Sequence, residues 1–491
     1  MGSEANASNF FYAEGSTGFV LNPDAKFPTA IAMSEIAPAP ATSSAFATSP
    51  AMPGRLKSID ALRGFDMFWI IAGDALVHAF NRISRGGASS STAEAKGFSI
   101  AAFLADQLEH VDWAGFHFYD LIFPLFIFIM GVSLVFSLTK QIEIGGRKEA
   151  LKRLTRRFVL LFVIALLYSG GFTNPWPDMR LLGVLNRIAL CYFFGGLLFI
   201  FFKPRMLVGW AAALLVGYWA MMNFVPIRNI QLENTSLAQL AENEGDMKMA
   251  ALLRTGKGFY VNKEGKNFSI IANHPATEWA KSKFNRTTEM TTAKFEPGLN
   301  LACHFDFQYL PGKKYDVYWD PEGFLSTLPA IATCLLGVFA GLLLLNANYC
   351  DKWKLIYLFS FGAAAVVLGF LWGMQFPVVK KIWSSSYVLV AGGYSAMLLG
   401  IFYWMVDVMK WQTWCQPFVW MGMNSITIYV TSNVIGGFRK LGGRFVGGDV
   451  RAFFETHLAK GSGDLVIALV GLALAFWFVW FLYRRKIFLR L

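Results

Sequence analysis

The sequence predicts an all-α fold: a polytopic membrane helix bundle of about ten transmembrane helices with an extracytoplasmic insert. Three observations predict it. The 491 residues are 55% hydrophobic and only 15% charged, where soluble domains carry about 25% charge. Ten apolar segments recur along the chain, each near the ~20 residues that cross a hydrocarbon core. Basic residues gather beside these segments, in alternate loops, as topology determinants do.

Residues 1–54 are rich in Ala, Ser, Pro and Gly without helical or strand period, and read as a disordered N-terminal tail. No basic and apolar leader opens the chain, so a cleaved signal peptide is not expected. Residues 55–224 hold five helices, over 60–82, 117–139, 157–174, 183–202 and 206–224. Pro204 in the turn FFKPRM suits the break between the fourth and fifth. Residues 225–322 are polar and mixed, and read as the insert. They contain sequons at Asn234, Asn267 and Asn285. Residues 323–491 supply five more helices, over 323–346, 353–375, 386–409, 414–436 and 463–483.

Lys140, Arg147, Lys148, Lys152, Arg153, Arg156 and Arg157 fall in one loop, and Arg484, Arg485 and Lys486 close the last helix. The positive-inside rule then places both termini in the cytoplasm. The loop between the first two helices and the insert share the opposite side. The net charge of +12 is explained by this bias, and nucleic acid is not an expected partner; the bilayer is.

Several chemistries are unsupported. The five Cys show no CxxC or Cys/His metal spacing, so no metal is expected. No G-x-S-x-G, Walker A, HExxH or dinucleotide fingerprint stands in a credible context.

Charge inside lipid is costly, so polar residues within the helices are weighed singly. Asp60 and Arg63, three residues apart, suit a local ion pair with Ser58 as cap, or Arg63 meets an anionic ligand. Asp66 and Asp74 follow on the same helix; Asp74 is a solvated helix end or a substrate contact. Asn186 and Arg187 open the fourth helix, where Arg187 pairs with an aspartate or binds a phosphate. Asn424, Ser425 and Thr427 suit hydrogen bonds between helices. Ser326 and Thr327 suit a cap. His274, His304 and His457 fall in polar loops and read as structural.

The run LEHVDWAGFHFYDLIFPLFIFIMGVSL, residues 108–134, is the most telling. His110 stands among Glu109, Asp112 and Asp120, just before a long apolar run, with Trp113 and Phe116 available to shield its ring. A neutral imidazole accepts a proton near pH 7. A carboxylate on the opposite ring nitrogen fixes its tautomer. Asp120 suits that role, because it begins a helix.

These runs carry a resemblance. RLKSIDALRGFDMFWII, HVDWAGFHFYDLIFPLFIFIMGVSL, RLLGVLNRIALCYF, DPEGFLSTLPAIATCLLGVFAG, KKIWSSSYVLVAGG and PFVWMGMNSITIYV resemble, in order, motifs of the heparan-alpha-glucosaminide N-acetyltransferase-like family of transmembrane acyltransferases, bacterial members above all. The resemblance implies acetyl transfer from cytoplasmic acetyl-CoA to the amine of a glucosamine-type sugar across a bacterial inner membrane. His110 falls on the family's catalytic histidine and Asp120 on its aspartate; His110 serves as base or is itself acetylated. Asp74, Trp113 and Asn424 are then expected at the acceptor, and Arg63, Asn186 and Arg187 at acetyl-CoA, within a monomer or a homodimer. Asp74 replaces the Asn of human-type enzymes, and Ala114 the Asn of the usual W-N-G. A sugar permease is the alternative reading. It should show inverted repeats, and no internal duplication is evident.

Overall fold

A computed structural model describes residues 56–84, 100–171, 175, 178–255, 260–263, 266–269 and 275–488. All of them fall in one compact unit, Met52–Leu491. The tail expected at 1–54 and His274 lie outside the described residues.

The chain is an all-α polytopic membrane protein. Its helices are α1 (Lys57–Phe68), α2 (Asp74–Ser84), α3 (Ile100–Gln107), α4 (Phe118–Tyr168), α5 (Val184–Phe201), α6 (Pro204–Phe224), α7 (Asn234–Asn243), α8 (Met247–Thr255), α9 (Pro275–Arg286), α10 (Leu301–Tyr309), α11 (Phe324–Leu345), α12 (Asp351–Gly373), α13 (Ser385–Phe402), α14 (Gln416–Met423), α15 (Ser425–Val434), α16 (Phe438–Val446), α17 (Asp449–His457) and α18 (Ser462–Arg484).

Among the described residues, seven helices rather than ten are long and apolar enough to cross a membrane. The difference has two causes. The second and third expected spans merge into the 51 residues of α4; a straight helix of that length would run ~76 Å. Instead Gly146 adopts φ 73°, ψ −178°, a conformation open to glycine. The chain folds back there: Tyr168 stacks on Tyr429, which lines the same cavity as Tyr119 at the other end of α4. The helix stops at Tyr168, short of the expected 174. The other cause is that two expected spans are broken. A π-helical turn, Trp69–Gly73, separates α1 from α2, and Asn424 separates α14 from α15.

Small residues bring the helices together. A side chain on Gly131 of α4 would strike the Cys334 carbonyl of α11, and one on Gly337 of α11 the Phe128 carbonyl. Such contact lets van der Waals packing hold helices that lipid does not drive together. Around it Leu125, Phe128, Val132, Ala332 and Cys334 form the buried core.

The described residues of the insert are folded. Leu237, Ala241, Phe284, Cys303, Phe307 and Tyr318 share a core with Tyr218 of α6 and with Phe376, Val379 and Ile382, which lie between α12 and α13. Strands β1 (Ile227–Arg228) and β4 (Met290–Thr291) pair antiparallel, as do β2 (Tyr260–Lys263) and β3 (Lys266–Ser269). His304 lies in α10, not in a loop; its Nε2 is 3.0 Å from the Ile230 carbonyl. His457 ends α17.

Two expected caps are replaced. At α1 the backbone N–H groups of Lys57 and Ser58 donate to Asp407, at 3.2 and 3.1 Å, because a carboxylate from a distant helix outcompetes the local hydroxyl. At α11 the Phe324 N–H donates to Asp306 Oδ1 at 3.1 Å. The hydroxyls of Ser326 and Thr327 donate back to the Gly323 carbonyl.

Candidate active site

His110 follows α3 and precedes α4. Its loop is tied to the 374–384 segment by the Gly115 N–H, which donates to the Val378 carbonyl at 2.9 Å. Asp120, in the first turn of α4 and 1% exposed, organises this loop. Its Oδ2 accepts the His117 N–H at 3.2 Å and the Val111 N–H at 3.4 Å. Its Oδ1 stands 2.8 Å from His110 Nδ1 and 3.3 Å from Lys380 Nζ. An ionised carboxylate only accepts, so Nδ1 carries the hydrogen and Nε2 keeps its lone pair. The Tyr119 ring lies beside the imidazole, 4.8 Å between centroids.

His110 and Tyr119 form part of the wall of a cavity of about 350 Å³. Its apolar wall includes Met67, Ile122, Phe126 and Trp383; its polar wall includes Arg180, Arg187, Tyr315, Glu322, Lys380, Lys381, Ser425 and Tyr429. Both helix breaks meet it, through Ile70 of the π-helical turn and Ser425 beside Asn424. Irregular backbone at membrane depth is tolerated where it lines such a space.

The charges are largely paired. Arg180 holds Asp320 through Nε and Nη2, at 2.8 and 2.7 Å, and Glu322 at 2.7 Å. Burial works against the Arg180 charge, but the two carboxylates outweigh it and hold the guanidinium above its usual range. Burial, with the Asp320 charge, raises Glu322. Burial lowers the Lys380 amine, against the pull of Asp120. Just behind, burial pushes Asp306 up to about 7, Asp320 adding to it.

The other expected site residues are dispersed. Arg187 is 1% exposed. It donates to the Pro321 carbonyl at 2.7 Å and to Ser326, and lies over the Trp383 ring; its Nε and Nη1 have no hydrogen-bond partner among the described residues. Neighbouring Asn186 is buried with its amide equally unpartnered there and does not line the cavity. Arg63 does not share the cavity with Arg187. It pairs with Asp60 at 3.6 Å and donates to Ser133.

Trp113 does not shield His110. Its indole N–H donates to the Phe295 carbonyl of the insert at 2.7 Å, and its ring meets Trp319. Phe116 stacks on Tyr394. Asp74 reaches the cavity only through a hydrogen bond with Tyr119, and Asn424 only through its neighbour Ser425.

Sequence reasoning missed Arg180, Glu322, Tyr429 and Lys380. Glu322 and Lys380 stand inside the motifs DPEG and KKIW. A charge retained directly before a membrane helix was the available signal.

A helical membrane bundle with a histidine–carboxylate pair beside a largely apolar cavity defines an integral membrane protein with a candidate site for proton transfer. Residues 97–235, which include His110, Asp120 and Arg187, match the family model "Heparan-alpha-glucosaminide N-acetyltransferase, catalytic". The chain is 26% identical over 418 residues to heparan-alpha-glucosaminide N-acetyltransferase of Mus musculus, across 77% of this chain and 56% of that protein. It is 25% identical over 475 residues to the Homo sapiens protein of the same name, across 89% and 60%. The chain is thus similar, in its residues 97–235 and along most of its length, to heparan-alpha-glucosaminide N-acetyltransferases, and it spans less than two thirds of the length of these relatives.

Proposed function

We propose that this protein transfers the acetyl group of acetyl-CoA to the amine of a glucosamine-type sugar, with His110 as base and Asp120 as its orienting partner. One observation carries the reading: the 2.8 Å contact of His110 Nδ1 with Asp120, at a cavity wall. It leaves Nε2 to take the proton an amine sheds on attacking a thioester. The amine nitrogen bonds to the acetyl carbon, the carbon–sulfur bond breaks, and the proton passes through His110 to the CoA thiolate.

At about 350 Å³ the cavity is at the small end of small-molecule sites, roughly 300–1,000 Å³. It suits a sugar ring and the acetyl end of the donor, with the CoA nucleotide outside. Arg187, with Asn186 beside it at the insert end of α5, meets the acetyl end of the donor where it reaches the cavity. Asp74 acts through Tyr119, and Asn424 through the start of α15, on the acceptor. The basic loops support a cytoplasmic donor side and an acceptor side at the insert, in a bacterial inner membrane with both termini cytoplasmic.

The test is labelled acetyl transfer by the purified protein in detergent, from acetyl-CoA to glucosamine-type acceptors. His110→Ala should lower transfer about 10²–10⁴-fold, the usual worth of a positioned base, at unchanged protein level. Transfer equal to the parent sinks the assignment. The broken helices, a transporter feature, favour a sugar permease as the second reading; sugar uptake into vesicles without any acetylation would establish it.

A further inference from the structure

Lys380 lies between α12 and α13, on the segment whose backbone is joined to the His110 loop through Gly115 and Val378, with Ala114 bridged to Val379. That pairing fixes where its side chain emerges. Nζ stands 3.3 Å from Asp120 Oδ1, and 3.0 and 3.3 Å from His110 Nδ1 and Nε2. The Nδ1 hydrogen is committed to Asp120, so Nδ1 accepts nothing from the ammonium. One of its three hydrogens serves Asp120; the others are left for the cavity, whose wall includes Lys380, so Nε2 keeps its lone pair for the amine.

A thioester attacked by an amine gathers negative charge on its carbonyl oxygen, and a fixed cationic donor beside that oxygen lowers the barrier. An amine held at Nε2 brings the carbonyl within reach of Nζ. On the acetyl-transfer reading above, we propose that Lys380 is a further catalytic residue, its ammonium donating a hydrogen bond to the thioester oxygen as that oxygen becomes an oxyanion. The amine nitrogen forms its bond to the acetyl carbon while the carbonyl electron pair moves to oxygen. When the pair returns, the carbon–sulfur bond breaks and thiolate leaves. His110 carries the amine proton to that thiolate, and Lys380 keeps all of its own.

The charged form of Lys380 is required. The groups that face it are His110 and Asp120 on one side, Glu322 before α11, and neighbouring Lys381. Burial draws its amine below the ordinary lysine range, and the two carboxylates oppose that. Turnover therefore falls at a lower alkaline pH than a free lysine would impose.

The test compares Lys380→Met, Lys380→Arg and His110→Ala in the full-length protein, with labelled acetyl-CoA and glucosamine. Lys380→Met should lower kcat about 10²–10³-fold at every pH, as loss of one oxyanion donor does, with the KM for acetyl-CoA and the acid limb of the pH profile in place. Lys380→Arg should restore much of kcat and move the alkaline fall to higher pH. A Lys380→Met protein that keeps its plateau kcat, or only moves the acid limb, overturns the proposal. So does an unmoved alkaline limb in Lys380→Arg, which carries the test if the Met variant fails to fold. Full transfer by His110→Ala would instead overturn the acetyl-transfer reading; an inactive His110→Ala beside an active Lys380→Met overturns the Lys380 role alone.

Discussion

Buried charge is held in different ways at two places in this bundle. Near the insert, Asp120 receives His110, Val111 and His117 from one loop and Lys380 from another, some 260 residues away. On α1, Arg63 meets Asp60 one turn earlier and donates to Ser133 and the Gly422 carbonyl. Partners converging from distant segments fix the direction of a side chain. Arg63 also gathers distant partners, but Ser133 and Gly422 tie α1 to α4 and α14 and leave it outside the His110 cavity, where its bonds serve the fold. Chemistry needs the first arrangement, because a base displaced by an ångström loses much of its rate.

The largest effect that would break this contrast comes from Asp120→Asn. Asparagine keeps the shape but offers an amide where His110 presents its Nδ1 hydrogen, which favours the wrong tautomer. Transfer should fall about 10²–10⁴-fold, with thermal stability altered far less than turnover. If kcat stays within about twofold of the parent, convergence at Asp120 has no catalytic meaning.

Next in size is Asp306→Asn. Asp306 joins the insert to the bundle by accepting the Phe324 N–H, and it is 2% exposed. Burial raises its pKa to about 7, so the folded protein holds a proton that the unfolded chain releases. Its contribution is present below about pH 4 and is lost as pH rises to about 7, a swing of ~4 kcal/mol. The thermal midpoint in detergent should fall across that window. Asparagine, neutral throughout and still an acceptor, should flatten the slope. An equal slope in both proteins removes Asp306 as its source.

The bundle was legible because lipid imposes simple constraints: apolar length, basic flanks and costly interior charge all show in one dimension. The two breaks were not. A π-helical turn at Trp69–Gly73 and the interruption at Asn424 leave hydropathy unchanged and arise where α1 and α15 meet the cavity. His110 and Asp120 are ten residues apart, so one short window carried both. Lys380 and Glu322 reach the same cavity only through folding, and no local spacing links them to His110. Trp113 was misread for the converse reason: nearness in sequence suggested a shield, whereas the insert supplies Phe295 as its partner.

The smallest effect is expected from Arg63→Ala, and it separates a ligand-binding arginine from a structural one. A residue that holds a CoA phosphate contributes to donor affinity, and its loss raises the KM for acetyl-CoA with kcat little changed. A residue spent on its own fold lowers stability instead. Arg63 has Asp60, Ser133 and Gly422 as intramolecular partners and does not line the His110 cavity. Its pair with Asp60, three residues away on one helix, contributes well under about 1 kcal/mol. The expected result is a slightly lower thermal midpoint and an unchanged KM for acetyl-CoA. A tenfold rise in that KM, about 1.4 kcal/mol of lost binding, would return Arg63 to the donor site. It would also show that a cation engaged by its own fold is free to serve a ligand, which the contrast with Asp120 denies.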